Sequence, residues 1–516
     1  MAKEPSTRLR DGRGAAKPTQ RQRVTAHETE TAVPAHVGAE PRPSHPDGSV
    51  RPRRPLQTWE VAAISVGFMG PVMAMSLNGI GVAGLVGKAV PLTFLISFAG
   101  TLLVAYGFIR LTRHFDHAGS VYALSGSTLG PRAGFFGGFA LLGTYLFLAA
   151  CILGACAVFF EAMAQAIGWQ LPGWTWIVVM VVASLGALAL NVRESKVTAR
   201  VLLGIGFVGI AMMLILAAVI IIRVATGNAP ATTGLDLTTF LPGDASPIAL
   251  MTASVFGFLS WAGFESGTSL SEETDEPKRV IPKALLLSVV GGGLVYVVVM
   301  FAQTIGFGTD EAGITAFAEA SSTLTTLAEQ YVGAWFATLI AVIAFCVAFA
   351  ALLSSTTAAS RLLFALARDG FGPRAFAKQH PVTGVPVTSV VATVMIVVAM
   401  SVALGAFGAT SVDVYYWYAT IGTLCMVVAY AMASVGVIRF ALRAGSGIPK
   451  WELIIPILGL AYLVYVYVIQ VVGQEAPYTY FPWIAGAWCV LGLIIVLARP
   501  SLAGRIGLRL TSEDMD

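Results

Sequence analysis

Ionisable side chains are scarce in the apolar parts of this sequence, so the few that occur there carry most of the chemical information. Glu265 lies in ASPIALMTASVFGFLSWAGFESGTSLSEETDEPKRVIPK, residues 245–283. A carboxylate held away from water is suited to reversible protonation. Gly257, Gly263 and Gly267 interrupt the run around it, and the acidic stretch 272–276 followed by Lys278 and Arg279 ends it. An earlier run, TWEVAAISVGFMGPVMAMSLNGIG, is interrupted by Gly67, Gly70 and Pro71. Proline is preset for the first turn of a helix, so a half-helix can begin at Pro71 with its N–H groups open to a carboxylate. Carbonyls left open around Gly257 and Phe258 would take an amine. Met69, Thr144, Tyr145, Phe258, Ser260 and Trp261 are the candidates for contacts to a bound solute. Trp261 reads as an aromatic gate or as a packing residue, and Thr144 as bonded to its own helix. The Tyr145 hydroxyl needs a partner, either solute or the broken first run. Ser354, Ser355, Thr356 and Thr357 stand together in ALLSSTTAAS. These hydroxyls can cap helix carbonyls, or Ser354 or Ser355 can complete a sodium site with carbonyls of the first run.

The elements that must hold these groups follow from composition. The chain has 516 residues, 56% hydrophobic and 12% charged, far from the balance of a soluble domain. Its 54 glycines and 25 prolines lie among long apolar runs, as they do in membrane helices. A net charge of +4 makes nucleic acid a poor partner. Cys151, Cys156, Cys346, Cys425 and Cys489 fall inside apolar runs without CxxC spacing and read as small core residues, neither disulfides nor metal ligands. At roughly 20 residues per crossing about twelve spans are expected, near 59–86, 90–111, 133–165, 173–191, 197–223, 247–271, 281–307, 323–366, 385–407, 413–440, 452–472 and 479–498. A membrane domain thus covers 56–500, between a disordered tail at 1–55, which lacks the apolar core of a signal peptide, and a second tail at 501–516.

Loop charges set the orientation. Arg110, Arg113 and Arg132, then Arg193 and Lys196, then Arg368 and Arg374, then Arg439 and Arg443 fall on one side; Asp236, Asp244, Asp310, Glu311 and Glu475 fall on the other. The basic side should face the cytoplasm and hold both termini there. The first and sixth spans are both interrupted, which points to inverted repeats with the binding site at their interface. The repeats would be 59–223 and 247–440, a 5+5 arrangement, with two additional helices over 452–498. Glu265, seven residues before Glu272, would lie ~10 Å from the interface along an α-helix, in the cytoplasmic third of the bilayer. Glu60, Glu161 and Glu329 fall near span ends, and no histidine falls within a span.

Several blocks resemble the amino acid–polyamine–organocation superfamily of permeases, in its bacterial amino acid permease branch. WAGFESGTSLSEETDEPKRVIPKA resembles the family's sixth helix and the loop after it. SRLLFALARDGFGP (360–373) resembles the segment after its eighth, HAGSVYAL (117–124) the approach to its third, and GFMGP (67–71) its first-helix break. The resemblance covers residues 58–500. It implies a secondary transporter of the plasma membrane, with solute near the midplane and coupling to a proton, to sodium or to a counter-solute. In one respect the sequence departs from the pattern. Some members carry a lysine in the fifth helix, and here Gly206 falls at that position while Lys196 lies nearer the helix start.

Solute transport, of amino acids or related amines by alternating access, is the expected activity. Its partners are the solute, a coupling ion and the bilayer, with no cofactor or metal. A channel would show a repeated filter. A membrane enzyme would need clustered acids, histidines or metal ligands within spans. A sensor that binds without transport shares the same features. Proton coupling through Glu265 is preferred to sodium at Ser354 and Ser355, with obligatory exchange as the remaining alternative.

Overall fold

The computed structural model describes residues 55–498 except 116–119, 194–195, 232, 369, 381–383 and 444. The expected tails at 1–55 (save Pro55) and 501–516, and His117, lie outside these residues. The described residues form helices and no strands. A helix bonds every backbone group within its own segment, which lipid demands. The first interrupted run gives α1 (Thr58–Met69) and α2 (Pro71–Val86). Next come α3 (Val90–Leu111), α4 (Ser120–Leu129), α5 (Pro131–Ala166), α6 (Thr175–Arg193) and α7 (Lys196–Ala225). The second interrupted run gives α8 (Pro247–Leu259) and a 3-10 segment, Phe264–Glu273. It is followed by α9 (Pro277–Phe307), α10 (Glu311–Glu319), α11 (Thr323–Tyr331) and α12 (Ala334–Arg368). The chain ends with α13 (Val387–Ala406), α14 (Ser411–Ala441), α15 (Ile454–Val471) and α16 (Phe481–Ala498).

Eleven stretches among the described residues are long and apolar enough to cross a bilayer. One of them, Pro71–Leu111, has 41 residues. As helix that is about 60 Å, against a hydrocarbon core of about 30 Å. It turns at Gly87–Ala89 and makes two passes, α2 completing the crossing that α1 begins. The protein is therefore an all-helical, multi-pass membrane protein with about twelve crossings, as its apolar runs predict.

The eighth run differs from expectation. A single span over 323–366 is divided at Gly333 into α11 and α12. The Thr323 hydroxyl donates to the carbonyls of Met75 and Ser76, each at 3.1 Å, and Tyr331 donates to the carbonyl of Gly306 at 2.9 Å. These bonds pin α11 against α2 and α9 and leave Glu329 exposed. The apolar pattern runs on through the break because α11 also buries one face, but against helix flanks at the acidic end of the molecule.

The axis of the fold is α5, buried along nearly all of its length and packed against α4, α6, α12, α14 and α16. Membrane helices gain by close backbone approach, which small residues permit. A Cβ added at Gly154 would lie 2.7 Å from the Tyr415 nitrogen and 2.8 Å from the Ser411 oxygen of α14. Neither is a side chain that can turn aside. The two interrupted crossings are neighbours: α1 packs on the 3-10 segment and α2 on α8. At the basic end, the Arg110 guanidinium and the Tyr106 hydroxyl of α3 both donate to Glu452, just before α15. Gly154→Ala is expected to destabilise by about 1–3 kcal/mol through overpacking, read as an earlier melting transition of the purified protein. Gly204→Ala on α7, where nothing lies within 4 Å of an added Cβ, is expected to leave melting unchanged. Equal melting of the two variants would contradict this account of the seam.

Candidate functional site

The first break is local chemistry. Gly70 closes α1 in the left-handed conformation, φ 57°, where a side chain is disfavoured. Pro71 then opens α2, and no side chain caps its start. In the second interrupted crossing α8 stops at Leu259. The chain tightens there: the Ser260, Trp261 and Ala262 amides donate to the Gly257, Phe258 and Leu259 carbonyls at 2.9, 3.1 and 2.9 Å. Gly263 follows with φ 94°, and the Phe68 ring lies where its Cβ would be. The break thus falls at 260–263. Gly257 is a different kind of glycine. It lets α8 approach α3, where Ser97 Cβ would be 2.7 Å from an added Cβ and the Ser97 hydroxyl donates to the Ser254 carbonyl at 2.9 Å. The carbonyls of Gly257 and Phe258, expected to be open to an amine, already accept amides of their own chain.

Between the breaks lies a cavity of ≈ 30 Å³, lined by residues that include Met69, Met73, Asn78, Leu148, Cys151, Ile152, Leu259, Ala262 and Tyr415. It holds a water or two, not an amino acid. Met69 is the candidate side chain that faces it, and Gly70 and Pro71 adjoin it on the chain. Leu259 and Ala262 line it, whereas Ser260 and Trp261 between them do not. Trp261 turns outward, its indole N–H donating to the Val289 carbonyl at 3.2 Å and its ring stacked on Phe98 with centroids 5.9 Å apart. Phe258 packs edge-on against Tyr462 and Tyr430. Gly67 faces Leu203 of α7. The Thr144 hydroxyl donates to the Ala140 carbonyl of its own helix at 3.1 Å.

Asn78 escaped the reading of the sequence. It is 1% exposed. Its amide donates to the Ser260 hydroxyl at 2.8 Å and accepts from the Tyr415 hydroxyl at 2.7 Å, joining α2, the end of α8 and α14. The available signal was a lone amide in the apolar run MAMSLNGIG, since a buried amide must find partners.

On the basic side of the break Glu265 is fully buried. The Tyr145 hydroxyl of α5 donates to its Oε1 at 3.0 Å, and the Tyr430 hydroxyl of α14 donates to its Oε2. The Tyr145 hydroxyl, expected to meet solute or the first span, thus meets this carboxylate, and its ring packs on Phe68 of α1. Glu265 is also farther from Glu272 along the segment than an α-helical count implies. The segment to Glu272 is 3-10, rising about 2.0 Å per residue, so the two are ~14 Å apart along it. The eighth-span hydroxyls turn to their own helix: Ser354 donates to the Ala350 carbonyl at 3.0 Å and Ser355 to the Leu352 carbonyl at 3.1 Å. Thr356 and Thr357 also clasp the Asn191 amide of α6, at 2.9 and 2.6 Å. Nothing lies within 4 Å of a Cβ added at Gly206.

A family model described as amino acid permease matches residues 56–496. The low-affinity putrescine importer PlaP of Escherichia coli is 25% identical over 340 residues, 66% of this chain and 72% of that protein. The branched-chain amino acid permease BcaP of Lactococcus lactis is 23% identical over 468 residues, 86% of this chain and 94% of that one. Cationic amino acid transporter 4 of Mus musculus is 24% identical over 403 residues, 75% and 60%. With two interrupted crossings paired about a buried cavity, and a family match that runs nearly the length of the described helices, this chain belongs to the amino acid permease family.

Proposed function

We propose that this permease is a secondary transporter of amino acids or related amines, working by alternating access in the plasma membrane with both termini in the cytoplasm. The relatives are named for amino acid and amine transport. The observation that carries the reading is the pairing of two broken helices around one small cavity. At such a break the N–H end of α2 attracts a carboxylate and the carbonyl end of α1 attracts an amine, the last carbonyls of α8 being already bonded to amides of their own chain. Met69, Gly70 and Pro71, with Leu259 and Ala262, form the contact surface. Gly67, Thr144, Gly257, Phe258, Ser260 and Trp261 support it from behind. The cavity must widen to admit solute.

Proton coupling through Glu265 is the reading that its setting favours. An ionised carboxylate is acceptor-only and can take both tyrosine hydroxyls. Protonation makes one oxygen a donor, so the bond on that oxygen must reverse, with the tyrosine hydroxyl turning to accept, and the charge that strengthened both bonds is lost; this weakens the hold of α5 and α14 on the 3-10 segment. A proton would thereby change the hold on a broken helix one turn from the cavity. The Ser354 and Ser355 hydroxyls, donated to their own helix, offer less support to a sodium site.

In proteoliposomes an imposed pH gradient is expected to drive solute accumulation without sodium. Glu265→Gln is expected to exchange solute across the membrane but to lose accumulation. A strict sodium requirement, with accumulation intact in Glu265→Gln and lost in Ser354→Ala and Ser355→Ala, would contradict the proton assignment. Protease added outside intact cells is expected to spare the segment before α1, since Arg110, Arg193, Arg368 and Arg439 mark that end of the helices as cytoplasmic. External cleavage there would reverse the topology.

A further inference from the structure

The small cavity at the helix breaks is walled by side chains that differ in how firmly they are held. From α5 come Leu148, Cys151 and Ile152. Residues spaced i, i+3 and i+4 share one helix face. Leu148 is packed against α14, its Cδ2 3.1 Å from where a Cβ at Gly422 would stand. From α1 and α2 come Met69 and Met73, which flank the first break. The Met69 methyl lies 2.9 Å from where a Cβ would stand at Gly292 of α9, and the Met73 methyl 3.0 Å from where one would stand at Gly70. Met73 thus folds back over the glycine that separates α1 from α2. A thioether side chain has three rotatable bonds and repacks readily, so these two can yield to a solute while the α5 face holds. Cys151 is the smallest side chain of that face and sets its depth.

Among the described residues that line this cavity none is Asp, Glu, Lys, Arg or His. Asn78 and Tyr415 reach it, but they are neutral, and the Tyr415 hydroxyl donates to Asn78 Oδ1. Glu265 does not line it, and its oxygens are held by Tyr145 and Tyr430. The charges of a solute must therefore be met by the helix ends, a carboxylate by the N–H end of α2 and an ammonium by the carbonyl end of α1. An α-amino acid uses both ends, and each of its charges is the counter-charge of the other. A monoamine would bury a net charge and leave the N–H end of α2 empty. A charged side chain, or the second ammonium of a diamine, would lie against the α5 face without a partner, which is costly.

We propose that the solute is an α-amino acid with an uncharged, apolar side chain, and that the Leu148–Cys151–Ile152 face of α5 is the wall that selects it. The proposal rests on the transporter reading and narrows it to one substrate class. The helix ends hold the groups that all amino acids share, so only the side chain meets α5. There it is selected for lack of charge and for size, the size limit being set at Cys151. Met69 and Met73 close over it from the other helices, and their adaptability gives tolerance of branched and straight shapes within the class.

The test is counterflow with the full chain in proteoliposomes, leucine inside and labelled leucine outside, which needs no coupling ion. External methionine and valine are expected to compete with the label. Four other compounds are expected to compete about tenfold more weakly or less, the loss of at least one hydrogen bond to a charged group: 3-methylbutylamine, which is leucine without its carboxylate, 4-methylpentanoate, which lacks the amine, lysine and putrescine. Cys151→Phe puts a ring on the α5 face and is expected to raise KM for leucine about tenfold more than KM for alanine. Cys151→Ala deepens the face and is expected to improve phenylalanine relative to leucine. A residue that only stabilised the fold would move the paired KM values together. Such parallel movement in Cys151→Phe overturns the wall assignment; should that variant not fold, an unaltered phenylalanine-to-leucine ratio in Cys151→Ala overturns it. Competition by lysine, putrescine or 3-methylbutylamine as strong as that of leucine, or by glutamine stronger than it, overturns the substrate class and leaves the transporter reading standing. So does counterflow of labelled lysine, glutamine or putrescine without that of leucine. Absence of saturable counterflow with any of these probes overturns both.

Discussion

A carboxylate at membrane depth is tolerated only where its oxygens are satisfied, and Glu265 is satisfied by two tyrosines that reach it from different helices. Much of the central architecture can be read as what this requires. Tyr145 and Tyr430 must stand at a fixed separation, which the α5–α14 seam sets by bringing the backbones together at Gly154. Glu265 must enter between them, and the left-handed turn at Gly263, closed over by Phe68, delivers it there. Phe264 and Phe108, edge-on to Tyr430 at 5.5 and 5.2 Å, wall the carboxylate in with apolar surface.

The helix break has a latch on each side. Toward the acidic end, Asn78 joins α2 to Ser260 and Tyr415; toward the basic end, Glu265 joins the 3-10 segment to Tyr145 and Tyr430. Both latches use tyrosines of α14, roughly 22 Å apart along it. The proposed alternating access would need one closure to open while the other holds, and the two differ in kind. The amide latch is neutral and indifferent to pH near neutrality. The carboxylate latch changes its hydrogen-bonding capacity with a proton. That asymmetry is what an ion-driven cycle can use, because a driving ion must act on one side of the break more than on the other.

Features fixed by local chemistry were legible in the sequence. Apolar run length gave the crossings, and Gly70–Pro71 gave the first break, because a left-handed glycine before a helix-starting proline needs no distant partner. The second break was harder. Gly257 and Gly263 look alike as letters, yet one relieves contact with Ser97 of α3 and the other supplies a positive φ. The difference lies in neighbours more than a hundred residues away. The same limit explains Tyr145, whose partner is 120 residues on, and Trp261, whose direction depends on tightening after Leu259 that shifts the helical phase. Gly333 was passed over because apolar residues continue on both sides of it. Asn78 is a lone amide in an apolar run, and a buried amide must find partners, but which partners, Ser260 and Tyr415, is set by the fold.

The claim at the centre of this account is that the Glu265 carboxylate is ionised while both tyrosines hold it and takes a proton when the solute cycle releases it. Infrared difference spectroscopy of the purified protein, recorded on adding and withdrawing a transported solute, reads this directly. A carboxylic-acid C=O band that appears or disappears with solute in the wild type, and is missing in Glu265→Gln, is the predicted result. Difference spectra without a carboxylic-acid band, or with the same band in Glu265→Gln, would contradict it.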